Sequence, residues 1–317
     1  MDQLAILDRR RLRRKLTFWR IFALLVIVGL GFALYRLGSG EAGAGTAHVA
    51  QVKITGMIQD DSELLERLEE IAESPNAKAL VVSITSPGGT TYGGERIYQA
   101  IRAVAEKKPV VSDIRTLAAS AGYMIATAGD TIIAGDNSIT GSIGVIFQYP
   151  QIAEMMDKLG ISLEEIKSSP LKAEPSPFHP PSEAAQQMIR SMILDSYDWF
   201  VDLVAERRKL SREEALRLAD GSIFTGRQAL QARLVDSIGG NQQIRDYLQG
   251  HGVSPDLPMV EWKDSSSSSS LWFARTMAEF VRVSGLSDVL GISALRPWGG
   301  EKLFLDGLVS VWQVGRE

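Results

Sequence analysis

From residue 48 onward, short apolar runs alternate with longer stretches in which apolar residues recur every three or four positions. "HVAQVKITGMI" (48–58) alternates apolar and polar residues and predicts a strand. "AKALVVSI" (77–84) is continuously apolar and β-branched, as a strand buried on both faces would be. Between them, "DSELLERLEEIAES" (61–74) has apolar residues at helical spacing and carboxylates in its first turn. "GGERIYQAIRAVAEKK" (93–108) predicts an amphipathic helix whose closing lysines face the negative end of its dipole. Strands are predicted at "PVVSDI" (109–114), "TIIAG" (131–135), "SIGVIFQY" (142–149) and "SLEEIK" (162–167). Helices are predicted at "LAASAGYMIA" (117–126) and "QIAEMMDKLG" (151–160). This alternation predicts an α/β fold, with helices packed on a largely parallel sheet.

A long helix follows from Ser182, and "SREEAL" (211–216) is a capping box opening another. "IFTGRQALQARLVDSIGG" (223–240) closes the unit, so the main domain is expected over 48–250. "DSSSSSS" then marks 264–270 as a low-complexity linker before a tail, 271–317, with apolar clusters but no strong repeat. No internal duplication is visible.

Upstream of residue 48 the pattern changes. "RRRLRRK" (9–15) precedes "IFALLVIVGLGFALY" (21–35), which carries no charge. Fifteen residues fall short of the ~20 that span a bilayer, but 17–37 suffices if Arg20 and Arg36 snorkel. The flanking charge keeps 1–16 cytoplasmic, and 38–47 is a Gly/Ala-rich linker. The expectation is a single retained anchor at 17–37, with everything after it exported. A cleaved signal peptide is the rival, because "EAGAGTAHVA" offers small-residue cleavage sites. Either way the globular part leaves the cytoplasm. A net charge of -4 argues against general nucleic-acid binding, and the absence of cysteine removes disulfides, thiol catalysis and cysteine-type zinc sites. No cofactor or metal is implied.

Two stretches carry candidate chemistry. "SITSPGGTTYGG" (83–94) joins a strand to a helix, and its glycines leave the amides of Gly88 and Gly89 uncovered, suited to a developing oxyanion. Ser120, in "LAASAGYMIA", follows the next strand. In a regular α/β unit both arrive at the carboxyl edge of the sheet, where ligands bind. A serine nucleophile needs a base. Histidine occurs only at 48, 179 and 251, none in the strand-rich core after Ser120, so a histidine triad is unattractive. Lysine serves in Ser-Lys variants, provided that burial lowers its pKa by roughly 3 units from ~10.4. Lys172, in "IKSSPLKAEPSPF", is a candidate by its apolar and proline neighbours; a solvated loop lysine is the bland alternative.

"TSPGG", "AASAGYMIATAGD", "ITGSIGVI" and "IKSSPLKAEPSPF", in that order, resemble the signal peptide peptidase A (SppA, protease IV-like) family of serine peptidases, over about residues 48–245. The resemblance implies a Clp protease/crotonase-like spiral of repeated β-β-α units. It implies Ser120 as nucleophile, Lys172 as general base, Ser142 as the hydroxyl that orients Lys172, and an oxyanion hole from the amide of Ala121 and that of Gly88 or Gly89. Ala121 stands where the family usually has glycine, and Ser169 and Pro170 replace the usual Gly-x before the lysine.

The resemblance further implies a membrane-anchored endopeptidase on the periplasmic or exterior side of the bacterial inner membrane. Its partners would be remnant signal peptides and other short or unfolded chains, membrane lipid, and copies of itself in a ring where Ser and Lys come from neighbouring subunits. An acyl-CoA enzyme on the same fold is a rival that export disfavours. A non-catalytic peptide-binding scaffold is the other, disfavoured by the intact Ser120, Ser142 and Lys172.

Overall fold

The computed structural model describes residues 46–263, the strand 309–311 and the single helical positions 19, 22, 26 and 31. The expected anchor (17–37, apart from those four positions), most of the 38–47 linker, the Ser-rich linker and nearly all of the tail lie outside the described residues. Among the described residues, no helix is long and apolar enough to cross a membrane.

The chain opens with β1 (His48–Thr55), α1 (Ser62–Glu73) and β2 (Ala77–Ser86). Asp61 starts α1 by accepting from the Leu64 amide at 2.9 Å, and the helix buries Leu64, Leu68, Ile71 and Ala72 against the sheet. Next come a short β3 (Gly88–Thr90), α2 (Thr91–Ala105), β4 (Val110–Ala119) and α3 (Ala121–Ala126). β5 (Thr131–Ala134), β6 (Ile139–Gly141), α4 (Ala153–Leu159) and the long α5 (Glu183–Arg208) follow, then α6 (Arg212–Leu218), β7 (Ile223–Thr225), α7 (Gly226–Gln231), β8 (Ser237–Ile238), α8 (Asn241–Gly250) and β9 (Met259–Glu261). The capping box at Ser211 forms as the sequence predicts.

The sheet runs β7-β6-β4-β2-β1-β9, and only the β6–β7 pair is antiparallel. β4 has two neighbours on one edge: β5 pairs with Val111–Ile114 and β6 with Leu117–Ala119. The sheet therefore branches at β4, and its far half carries β6 and the turn after it. A large apolar core fills one face under α1, α2, α3 and α5, and a smaller one, with Ile244 and Leu248 of α8, covers the other. This is a mixed α/β fold dominated by parallel pairing, consistent with a Clp protease-like fold.

Four local expectations change. Leu117–Ala119 is strand, because pairing with β2 and β6 overrides the helical preference of its alanines. Residues 142–149 are not a strand. Gly141 and Ser142 turn through positive φ (91° and 51°), and the pairing falls one turn earlier, in β6. Residues 162–167 are irregular, with Leu163 and Ile166 exposed, so their alternating pattern finds no sheet to join. Finally, β9 pairs in parallel with β1 (Val49 opposite Met259), so the sheet continues past residue 250.

Candidate active site

Three strand ends converge. Ser86 of β2 lies opposite Ala118 of β4, and Ala119 lies opposite Gly141 of β6. Gly88–Gly89, Ser120 and Ser142 each follow one of these pairs, so the sheet delivers them to one carboxyl edge.

Ser120 sits at the β4–α3 junction with φ 58° and ψ −119°. A non-glycine residue there stores strain of about 1–3 kcal/mol, which persists only where surroundings over-determine it. They do so here. Its amide donates to the Gly141 carbonyl at 2.8 Å, and its carbonyl accepts from the Met124 amide at 2.9 Å. Ser120 is almost wholly buried among Ala118, Ala119 and Ala121. The small neighbours are required by close approach: a Cβ on Gly122 would lie 3.0 Å from the Ser86 carbonyl oxygen, and one on Gly94 of α2 would lie 2.9 Å from the Met124 sulfur. The aromatic neighbour is structural, because the Tyr123 hydroxyl donates to the Leu234 carbonyl at 2.8 Å and burial pushes its pKa up.

The two glycines differ. Gly88, at φ 114°, spends its amide on the Ser86 hydroxyl at 3.1 Å. Its carbonyl accepts from Ile58 and the Thr90 amide donates to Ile58, both at 2.9 Å. Strand alternation therefore turns the Gly89 N–H and C=O to the side away from Ile58. Gly89 must be glycine, since a Cβ there would lie 1.9 Å from the Ile58 carbonyl oxygen. On that outward side the strand Val309–Val311, β10, pairs antiparallel, with Ser310 opposite Gly89. Ala121 is the first residue of α3, with its backbone buried.

Ser142 is mostly buried, and its amide donates to the Ser222 carbonyl at 2.7 Å. Lys172 is exposed in the segment between α4 and α5. No hydrogen bond or ion pair among the described residues joins its ammonium to Ser120 or Ser142.

The other lysine of that segment is locked. Lys167 Nζ pairs with Glu165 at 2.6 Å and with the buried Glu174 at 2.9 Å, and the His179 ring stands 3.5 Å away. The two carboxylates hold the Lys167 pKa above its ordinary value, and the ammonium lowers those of Glu165 and Glu174. This clasp closes over residues 168–173, with Lys172 in the enclosed turn. The segment is also tied back toward Ser142, because Ile152 and Gln151 donate to the carbonyls of Pro177 and Ser176. Sequence reading missed this clasp. Lys167 was in view as the other lysine of its motif, but nothing in the spacing identified its carboxylates.

The histidines are engaged elsewhere. His48 begins β1, at the opposite end of the sheet, with its ring bonded to Trp262 Nε1 at 3.0 Å and the Thr46 carbonyl at 2.8 Å. His251 bonds the Tyr247 carbonyl at 2.8 Å. Among the described residues, no group of acidic or histidine side chains could hold a metal ion.

Comparison with known proteins matches this geometry to a family. The family model described as Peptidase family S49 matches residues 102–252, and that described as Clp protease matches 48–138. A chain carrying the name signal peptide peptidase SppA in Enterococcus faecium is 31% identical over 255 residues, covering 76% of this chain and 74% of that one. Protease 4 of Haemophilus influenzae is 32% identical over 229 residues, covering 68% of this chain and 37% of its own length. The chloroplastic serine protease SPPA of Arabidopsis thaliana is 29% identical over 220 residues, covering 68% of this chain and 30% of its own. The chain belongs to peptidase family S49, the signal peptide peptidase A group, and is a serine-type peptidase.

Proposed function

We propose that this peptidase works through a Ser120–Lys172 dyad completed between neighbouring copies of the chain, and that it cleaves remnant signal peptides and other short apolar chains beside the membrane that holds its N-terminus. One observation carries the reading. Lys172 projects, exposed, from a segment whose Met155, Leu159, Ile161, Leu163, Ile166 and Leu171 are also exposed. A contiguous apolar surface of this kind marks a contact with another protein, and such a contact would bury the lysine beside a second chain's serine. The clasp supports the choice of lysine: Lys167, paired with two carboxylates, is held as an ammonium and is unsuited to take a proton.

In this reading, neutral Lys172 removes the Ser120 proton as Oγ attacks the scissile carbonyl. The oxyanion forms against the amides of Ala121 and Gly89; Gly89 is preferred over Gly88 because its N–H faces outward while that of Gly88 is engaged. Lys172 then protonates the leaving amine, and water hydrolyses the acyl-enzyme. Ser142, next to the Gly141 carbonyl that anchors Ser120, orients the incoming lysine. The anchor at 17–37 and the export of the domain rest on the basic and apolar pattern of the N-terminus.

The test is complementation. Ser120→Ala and Lys172→Arg should each be inactive on a fluorogenic apolar peptide. Co-assembling the two inactive chains should restore part of the activity, because some contacts then pair an intact serine with an intact lysine. Activity in Lys172→Arg alone would remove the lysine from the mechanism. Two inactive variants without complementation would place the dyad within one chain.

A further inference from the structure

The tail after the Ser-rich linker has no place in the mechanism, yet its one described element lies at the site. β10 pairs with β3 in antiparallel register, Val309 opposite Thr90, Ser310 opposite Gly89 and Val311 opposite Gly88, and it also packs against α3. It therefore occupies the crevice between the strand that carries Gly89 and the helix that begins at Ala121. β3 has only two edges. Ile58 fills one, and the other presents the Gly89 N–H and C=O. An extended peptide that binds this edge by strand addition needs the backbone groups that β10 already uses.

We infer that residues 309–311 act as a tethered competitor: the chain's own C-terminal strand docks on the outer edge of Gly88–Thr90 and must leave before a peptide substrate can bind there. The sequence around it suits the role. "LDGLVSVWQVG" (305–315) is apolar and β-branched, the composition proposed above for the substrate. Residues 264–308 form the tether, which holds the strand at a local concentration on the order of millimolar. Docking and undocking then set the apparent substrate affinity, since a site open for only about one-tenth of the time binds about 10-fold more weakly.

The inference rests on the proposed active site, and the experiment separates the two. In the full chain, Ser310→Pro removes the N–H that faces Gly89 and cannot join a ladder there. The variant should show a KM for a short apolar peptide lowered about 10-fold, with kcat unchanged. A synthetic peptide of residues 305–315 should inhibit the variant competitively and the parent chain more weakly. An unchanged KM in Ser310→Pro, or a 305–315 peptide that does not compete, overturns the tethered competitor while leaving the site intact. Full turnover by Ser120→Ala in the same assay would instead overturn the site.

Discussion

Gly89→Ala tests the site through a single methyl group. The added Cβ would stand 1.9 Å from the Ile58 carbonyl oxygen and 2.6 Å from both the Ile58 carbonyl carbon and its amide nitrogen. All three are backbone atoms, so no flexible side chain can swing clear. β3 and Ile58 must separate by about 1 Å to reach a tolerable contact, which stretches the two hydrogen bonds between them. Overpacking costs about 1–3 kcal/mol, and weakened hydrogen bonds add ~1 kcal/mol. A total of ~2–4 kcal/mol corresponds to a fall of roughly 5–15 °C in Tm for a domain of this size. Catalysis should suffer more than folding. The same displacement moves the Gly89 amide off the developing oxyanion, and losing one such donor costs roughly 100- to 1000-fold in kcat. The assay is steady-state hydrolysis of a fluorogenic peptide, below the variant's Tm, beside thermal unfolding followed by circular dichroism. A Gly89→Ala protein with parental Tm and kcat would refute both the close approach of β3 to Ile58 and the role given to this amide.

Ser120→Gly should abolish turnover yet raise stability by about 1 kcal/mol in urea unfolding, because glycine relieves the cost of φ 58° at the strand end; a destabilised variant would mean the turn is not strained. Lys167→Met should lower kcat ~10–100-fold, as losing an orienting partner does, with KM and Tm little changed, and Lys167→Arg should restore most of it; equal activity in all three would make the clasp irrelevant to Lys172. Because their folded pKa values lie below the usual glutamate range, Glu165 and Glu174 hold the clasp at neutral pH and release it as pH falls through those lowered values. Amide exchange over 161–181, compared at neutral and strongly acid pH with the sheet as reference, should accelerate only at the acid end. Alkaline phosphatase fused after residue 45 should be active, and an inactive fusion would reverse the proposed topology.

Much of the architecture is determined by local chemistry. The unbroken apolar run of β2, the 3–4 spacing of α1 and α2 and the capping box at Ser211 dictate their elements wherever they lie. Alternating strand and helix place successive strand ends on one edge, so Gly88–Gly89 and Ser120 could be paired without coordinates. The misread segments are those whose state depends on a neighbour. "LAA" of 117–119 has helical propensity, yet it is strand because β2 and β6 offer it ladders on both sides. "SLEEIK" alternates like a strand, but its apolar positions meet nothing within the chain. The finest features of the site are likewise tertiary. The positive φ of Ser120 depends on Gly141 and Met124, the outward turn of the Gly89 amide depends on Ile58, and the pairing that separates Lys167 from Lys172 depends on Glu165 and Glu174. A sequence encodes periodicity and propensity within a few residues. A strained dihedral, an amide's direction and the choice between two lysines are set by atoms distant along the chain and adjacent only after folding.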